Sequence, residues 1–111
     1  MTIRLENQFC QWLIDDNGRN LRFMDKVTGR DWLLAQPASP CAYVRRGGWR
    51  GDASAAAFDG RCLQLTFADG AASARVAVAL HDAYMVFTVE EVVGDVDELA
   101  FVNIPTTLRV V

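Results

Sequence analysis

Along much of this chain, apolar and polar positions alternate one by one. In CLQLTF (62–67), Leu63, Leu65 and Phe67 fall on one side and Cys62, Gln64 and Thr66 on the other. In ASARVAVALH (72–81), Ala74, Val76, Val78 and Leu80 face one way, against Ser73, Arg75 and His81. A period of two is the repeat of a half-buried β-strand. Read this way, the chain predicts strands at 2–7, 9–14, 20–25, 41–46, 61–68, 72–81, 84–93 and 99–104, with a further one at 106–111. FCQWLI (9–14) is apolar on nearly both faces, which predicts a central strand. No stretch holds a helical apolar spacing for long. The exceptions are one turn near DWLLAQ (31–36) or the alanine-rich DASAAAF (52–58).

Turn signals separate these runs. Asn17-Gly18 is the strongest, because a type I′ hairpin turn needs positive φ at both central positions; Asp59-Gly60 and Asp69-Gly70 repeat the chemistry. Pro37, Pro40 and Pro105 fall in loops or at strand boundaries, where a missing N–H does little harm. In FMDKVTGRDWLL (23–34), Leu21 and Phe23 are expected inside and Asn20 and Arg22 outside. Asp25, Lys26 and Arg30 then form a solvated turn reversed at Thr28-Gly29, and Trp32 resumes burial. Regular turns about every ten residues predict an all-β fold, a β-sandwich or barrel, with two packed antiparallel sheets as the preferred form. A length of 111 residues suits a single domain spanning 1–111.

Composition narrows the function. The chain is 51% hydrophobic and carries a formal net charge of −3. No basic block is present, so neither nucleic acid nor an anionic membrane is an expected partner. The apolar runs, such as VAVAL (76–80), fall far short of a bilayer span. The first residues show no basic stretch followed by an apolar one, so no signal peptide is visible, and the compartment stays open. Cys10, Cys41 and Cys62 are odd in number and widely spaced. They predict three free thiols rather than disulfides or a zinc site.

The stretch LENQFCQWLIDDNGRNLRFMDKVTGRDWL (5–33) has a particular order. A strand ends in Glu-Asn, and a second strand leads to an Asp/Asn-Gly turn. A short strand follows, then Asp-Lys-x-Thr-Gly-Arg and an aromatic-aliphatic pair. It resembles the opening of the β-sandwich "supersandwich" domains, galactose mutarotase-like in fold, of bacterial glycoside hydrolases and polysaccharide lyases. The resemblance covers about the first third of the chain. It implies a sandwich of that type, or the N-terminal portion of a larger one, in a carbohydrate-handling context. It also implies an accessory role beside a catalytic domain or subunit. The catalytic histidine and glutamate of the mutarotases match no motif here, so no catalytic residue and no cofactor are carried over.

Candidate chemistry is sparse. His81, the single histidine, sits at a strand end beside Asp82 and reads as a surface residue, although a general base is conceivable. Glu90 and Glu91 are adjacent in a strand, so they are expected on opposite faces and not as a carboxylate pair. Asp15 and Asp16 belong to a hairpin turn. Asp95, Asp97 and Glu98 make an acidic loop without the spacing of a calcium-binding hand, and no metal is expected. RRGGWRGDAS (45–54) reads as a loop in which Trp49 projects between Arg46 and Arg50. Such a loop could offer an aromatic face and guanidinium donors to a polysaccharide or oligosaccharide. The competing reading folds Trp49 back over the open end of the core. Arg50-Gly51-Asp52 is an adhesion tripeptide only by chance. Trp12, Trp32, Tyr43 and Tyr84 are expected to pack.

Three functions follow. The first is a non-catalytic accessory module packing against a catalytic neighbour. The second is a free-standing carbohydrate-binding module using Trp49, Arg46 and Arg50. The third is a small sugar epimerase or lyase with His81 as base.

Overall fold

The computed structural model describes residues 2–31 and 39–101. The expectations for Trp32, for the helical turn beginning there, and for a strand at 106–111 lie outside the described residues. The chain forms two antiparallel sheets. The first has the order β1-β2-β3-β4, built from β1 (Ile3–Glu6), β2 (Cys10–Ile14), β3 (Asn20–Asp25) and β4 (Arg30–Asp31). The second comprises β5 (Ala42–Arg46), β6 (Trp49–Phe58), β7 (Cys62–Phe67), β8 (Ala72–Leu80), β9 (Met85–Val93) and β10 (Glu98–Phe101). Its order is β10-β5-β6-β7-β8-β9, and one 3-10 turn at Ala68–Gly70 joins β7 to β8. The all-β, sandwich-like class therefore holds.

One buried cluster joins both sheets. Ile3, Leu5, Trp12 and Ile14 come from the first, and Val44, Leu63, Leu65, Phe67, Ala74 and Val76 from the second. The alternation in 62–67 and 72–78 matches these faces, whereas Leu80, expected inside, is 43% exposed at the last position of β8. The six-stranded sheet curls, and residues from both of its edges reach Trp12. Phe87 of β9 lies 6.0 Å from Trp12, Phe101 of β10 lies 5.8 Å from it, and the two phenylalanines are 5.2 Å apart. Edge-on and tilted aromatic contacts at such distances are favourable.

Tyr84, expected to pack, is also exposed, and three further expectations need correction where β-bulges occur. Between Leu13↔Arg22 and Ile14↔Asn20 the pairing skips Leu21. One extra residue in a strand reverses which side the next one faces, so Asn20 is buried and Leu21 is exposed. Asn20 is fully used there. Its Oδ1 accepts the Trp12 Nε1–H at 2.8 Å and its Nδ2 donates to Ser39 Oγ at 3.0 Å.

The second correction concerns 49–58, which was expected to hold a loop and then a helical turn. It is the ten-residue strand β6, hydrogen-bonded on both sides. Its bulge between Ala53 and Ala55 places Ala53 and Ala56 inward, a spacing of three that imitates a helix. The third bulge, in β9, reshapes the candidate chemistry.

The turn at 25–30 is structural. Asp25 Oδ1 accepts the Val27 amide at 2.9 Å, its carbonyl accepts the Gly29 amide at 2.7 Å, and Gly29 sits at φ +72°. Lys26 is more engaged than a solvated charge. Its ammonium donates to Asn7 O at 2.9 Å and lies 3.3 Å from Glu6 Oε2, tying the turn to the end of β1.

Candidate functional site

Gly47 and Gly48 form the two-residue turn between β5 and β6, and Arg46 pairs directly with Trp49 across it. Residues paired across antiparallel strands share a face, and the next pair along takes the other. Arg46 and Trp49 therefore lie on the same side as the buried Val44–Gly51 pair. Arg45 and Arg50 lie on the opposite side with Tyr43 and Asp52.

The expected Arg46–Trp49–Arg50 platform is thus divided between two faces. Trp49 lies along its own strand over Gly51, so close that a Cβ there would stand 2.7 Å from its Cη2 and 3.1 Å from the Ala68 Cβ. The ring packs over Gly51 while remaining 43% exposed. With Arg46, Ala71, Asp95 and Val96 it lines a recess of about 320 Å³. The Arg46 guanidinium sits 2.7 Å from Asp95 across that recess. Arg50 stacks 3.8 Å from the centroid of Tyr43 and bonds Asp52 at 2.8 Å.

The acidic loop after β9 is occupied by the same hairpin. Asp97 Oδ2 accepts the Gly47 amide at 3.0 Å, Asp97 N–H donates to Arg45 O at 2.7 Å, and Glu98 lies 3.9 Å from Arg45. Among the described residues no group of three or more histidine, cysteine or acidic side chains is placed to hold a metal ion. His81 is exposed and stacks on Tyr84 at 4.5 Å, with its amide donating to Tyr84 O at 2.9 Å. Asp15 is used locally, its Oδ1 accepting the Asn17 and Arg19 amides at 2.9 Å.

The carboxylates of β9 depart from expectation. Arg75 pairs with Glu91 and Val76 with Val89, so Glu90 is the extra residue of a bulge. Both glutamates reach the same guanidinium, Glu90 at 3.3 Å and Glu91 at 3.8 Å. A strict period of two had separated them. Arg61 approaches Glu90 at 3.8 Å, and the Cys62 Sγ lies 3.6 Å from Glu90 Oε1. Desolvation, then the Glu90 charge, pushes the Cys62 thiol up, which disfavours a nucleophilic thiolate there. Gln64, the partner of Arg75 on β7, completes a polar row on the outer face. This row borders a groove of about 660 Å³ at the β6–β7 hairpin end. No motif announced it, because its residues come from three strands and a bulge.

Among the described residues no helix is long and apolar enough to cross a membrane. Comparison with protein-family models, curated protein sequences and solved structures gave no match.

Proposed function

We propose that this chain is a non-catalytic accessory module of a carbohydrate-active enzyme, and that a catalytic domain of the same polypeptide packs on β9. The observation that carries the reading is the apolar character of that strand on both faces. Val89 and Val92 lie on the core side of the sheet, 46% and 39% exposed, and Val86 and Val93 lie on the other side, 42% and 54% exposed. Leu80 and Tyr84 extend the patch at one end. Several exposed apolar side chains along one edge strand mark an interaction site. An edge strand exposed on both faces suits a neighbour that wraps the edge.

The carbohydrate context rests on the resemblance of 5–33 to supersandwich domains. The strand, Asn-Gly turn, strand and Thr-Gly turn of that stretch form the sheet that carries Trp12 into the core, which supports an architectural role for it.

The test uses the full reading frame that contains this sequence. Val89→Lys combined with Val92→Lys should uncouple the module, so that thermal unfolding splits into two transitions and the catalytic domain unfolds earlier. A reading frame without a catalytic domain, or a double variant that still unfolds in one unchanged transition, overturns the reading.

A further inference from the structure

The outer face of β6–β9 carries a groove that neither the core nor the β9 apolar patch accounts for. Its walls hold Arg61, Gln64, Arg75 and Glu90, with Phe58 and Asp59 at the hairpin end. At about 660 Å³ it lies in the size range of small-ligand sites.

The side chains are held in place. The bulge sets Glu90 beside Glu91, and their shared grip on Arg75 fixes a guanidinium next to a carboxylate. Asp59 Oδ1 accepts the Arg61 and Cys62 amides at 2.8 and 2.7 Å. These bonds hold the Asp59 carboxyl below its ordinary range and keep it ionised. The lining therefore carries two cations, Arg61 and Arg75, and two anions, Asp59 and Glu90. With no net charge, the groove offers no electrostatic preference for a phosphate, a carboxylate or an amine.

The lining offers hydrogen-bonding groups of both kinds. A guanidinium only donates, a carboxylate only accepts and a carboxamide does both. Arg75, Glu90 and Gln64 side by side complement a ligand whose neighbouring groups both donate and accept. Adjacent sugar hydroxyls are such groups. Phe58, paired with buried Leu63 and packed against the core, closes the hairpin end of the groove.

We propose that this groove binds an uncharged oligosaccharide segment, with Arg75 and Glu90 taking adjacent hydroxyls and Gln64 a third. The inference rests on the carbohydrate context proposed above; the groove adjoins the β9 patch through Glu90 but is built mainly from polar side chains of β7, β8 and the β6–β7 hairpin. An open groove excludes little water, so the expected affinity is weak, about millimolar.

Amide chemical shifts of the chain, followed by NMR during addition of maltohexaose, cellohexaose, xylohexaose and mannohexaose, with trigalacturonate as the charged control, test it. At least one neutral hexasaccharide should give saturable shifts centred on Gln64, Arg75 and Glu90. Glu90→Gln and Gln64→Ala, each with an otherwise unchanged spectrum, should each weaken that binding about tenfold. No saturable shift with any neutral sugar overturns the proposal. So do shifts confined to Arg46 and Trp49, a response to trigalacturonate alone, or binding unaltered in both variants. Failure here leaves the β9 reading to its own unfolding test, and failure there does not move these shifts.

Discussion

Two residues test the local chemistry most directly. Gly29 occupies the left-handed region at φ +72°, and nothing stands within 4 Å of where its Cβ would lie. Substitution therefore meets backbone strain but no clash. Gly29→Val, β-branched and disfavoured at positive φ, should cost about 1 kcal/mol in urea unfolding. Lys26→Ala, which loses an exposed ion pair and one bond to Asn7 O, should cost about 0.5–1 kcal/mol.

Cys41 gives a pH signature. It is buried, and desolvation pushes its thiol from the ordinary 9.0 up to about 12. Below about pH 9 the folded and unfolded chains both hold this proton, and its contribution to stability is complete. Between about pH 9 and 12 the unfolded chain releases the proton and the folded chain keeps it. Stability should then fall as pH rises, by up to about 1.4 kcal/mol per unit. Cys41→Ala should flatten that decline by a comparable amount in urea midpoints measured across the window. An equal slope in both proteins would contradict the burial argument. All three cysteines are free, in line with the odd count, and only Cys41 is fully enclosed.

Strand by strand, sequence reading succeeded where the repeat ran unbroken and failed at the bulges. β7 and the first part of β8 alternate without interruption, and their inward residues were legible as written. A bulge inserts one residue and shifts the phase, with no residue type that marks it reliably. It sent Leu21 outward and Asn20 inward, turned the inward positions of β6 into a helix-like triplet, and brought Glu90 round to the side of Glu91. The alanine content of 52–58 deepened the error, since alanine favours helix over strand. The candidate groove was hidden for the same reason, because its central carboxylate is a bulge residue. The hairpin at Gly47-Gly48 could have been read from the Gly-Gly pair itself, a two-residue hairpin-turn signal.

The consequence for Asn20 can be measured. Asn20→Ala leaves the buried Trp12 N–H without its acceptor, and such a vacancy costs about 1–3 kcal/mol. A loss of that size is expected in equilibrium unfolding. A neutral result would mean that another acceptor reaches Trp12.

For the molecule as a whole, the decisive asymmetry lies between the two ends of the six-stranded sheet. Among the described residues no strand pairs with the outer side of β9, and its valines are exposed on both faces. Chains carrying such an edge associate at high concentration. Sedimentation velocity of the chain alone should show a mean mass that rises with concentration. Val89→Lys with Val92→Lys should hold it at the monomer value, and a mass independent of concentration in the unsubstituted chain would count against the exposed edge.

The Trp12–Phe87–Phe101 contact has a different consequence, for the order of events during synthesis. Trp12 emerges from the ribosome long before Phe101, with nearly all of the described chain between them. The first sheet can form its local hairpins at once, but the aromatic wedge that draws both edges of the second sheet together must wait. Closing so long a loop is slow compared with forming a hairpin. During that interval Trp12 stays uncovered by Phe101, and a nascent chain paused before that residue would still present its indole to chaperones.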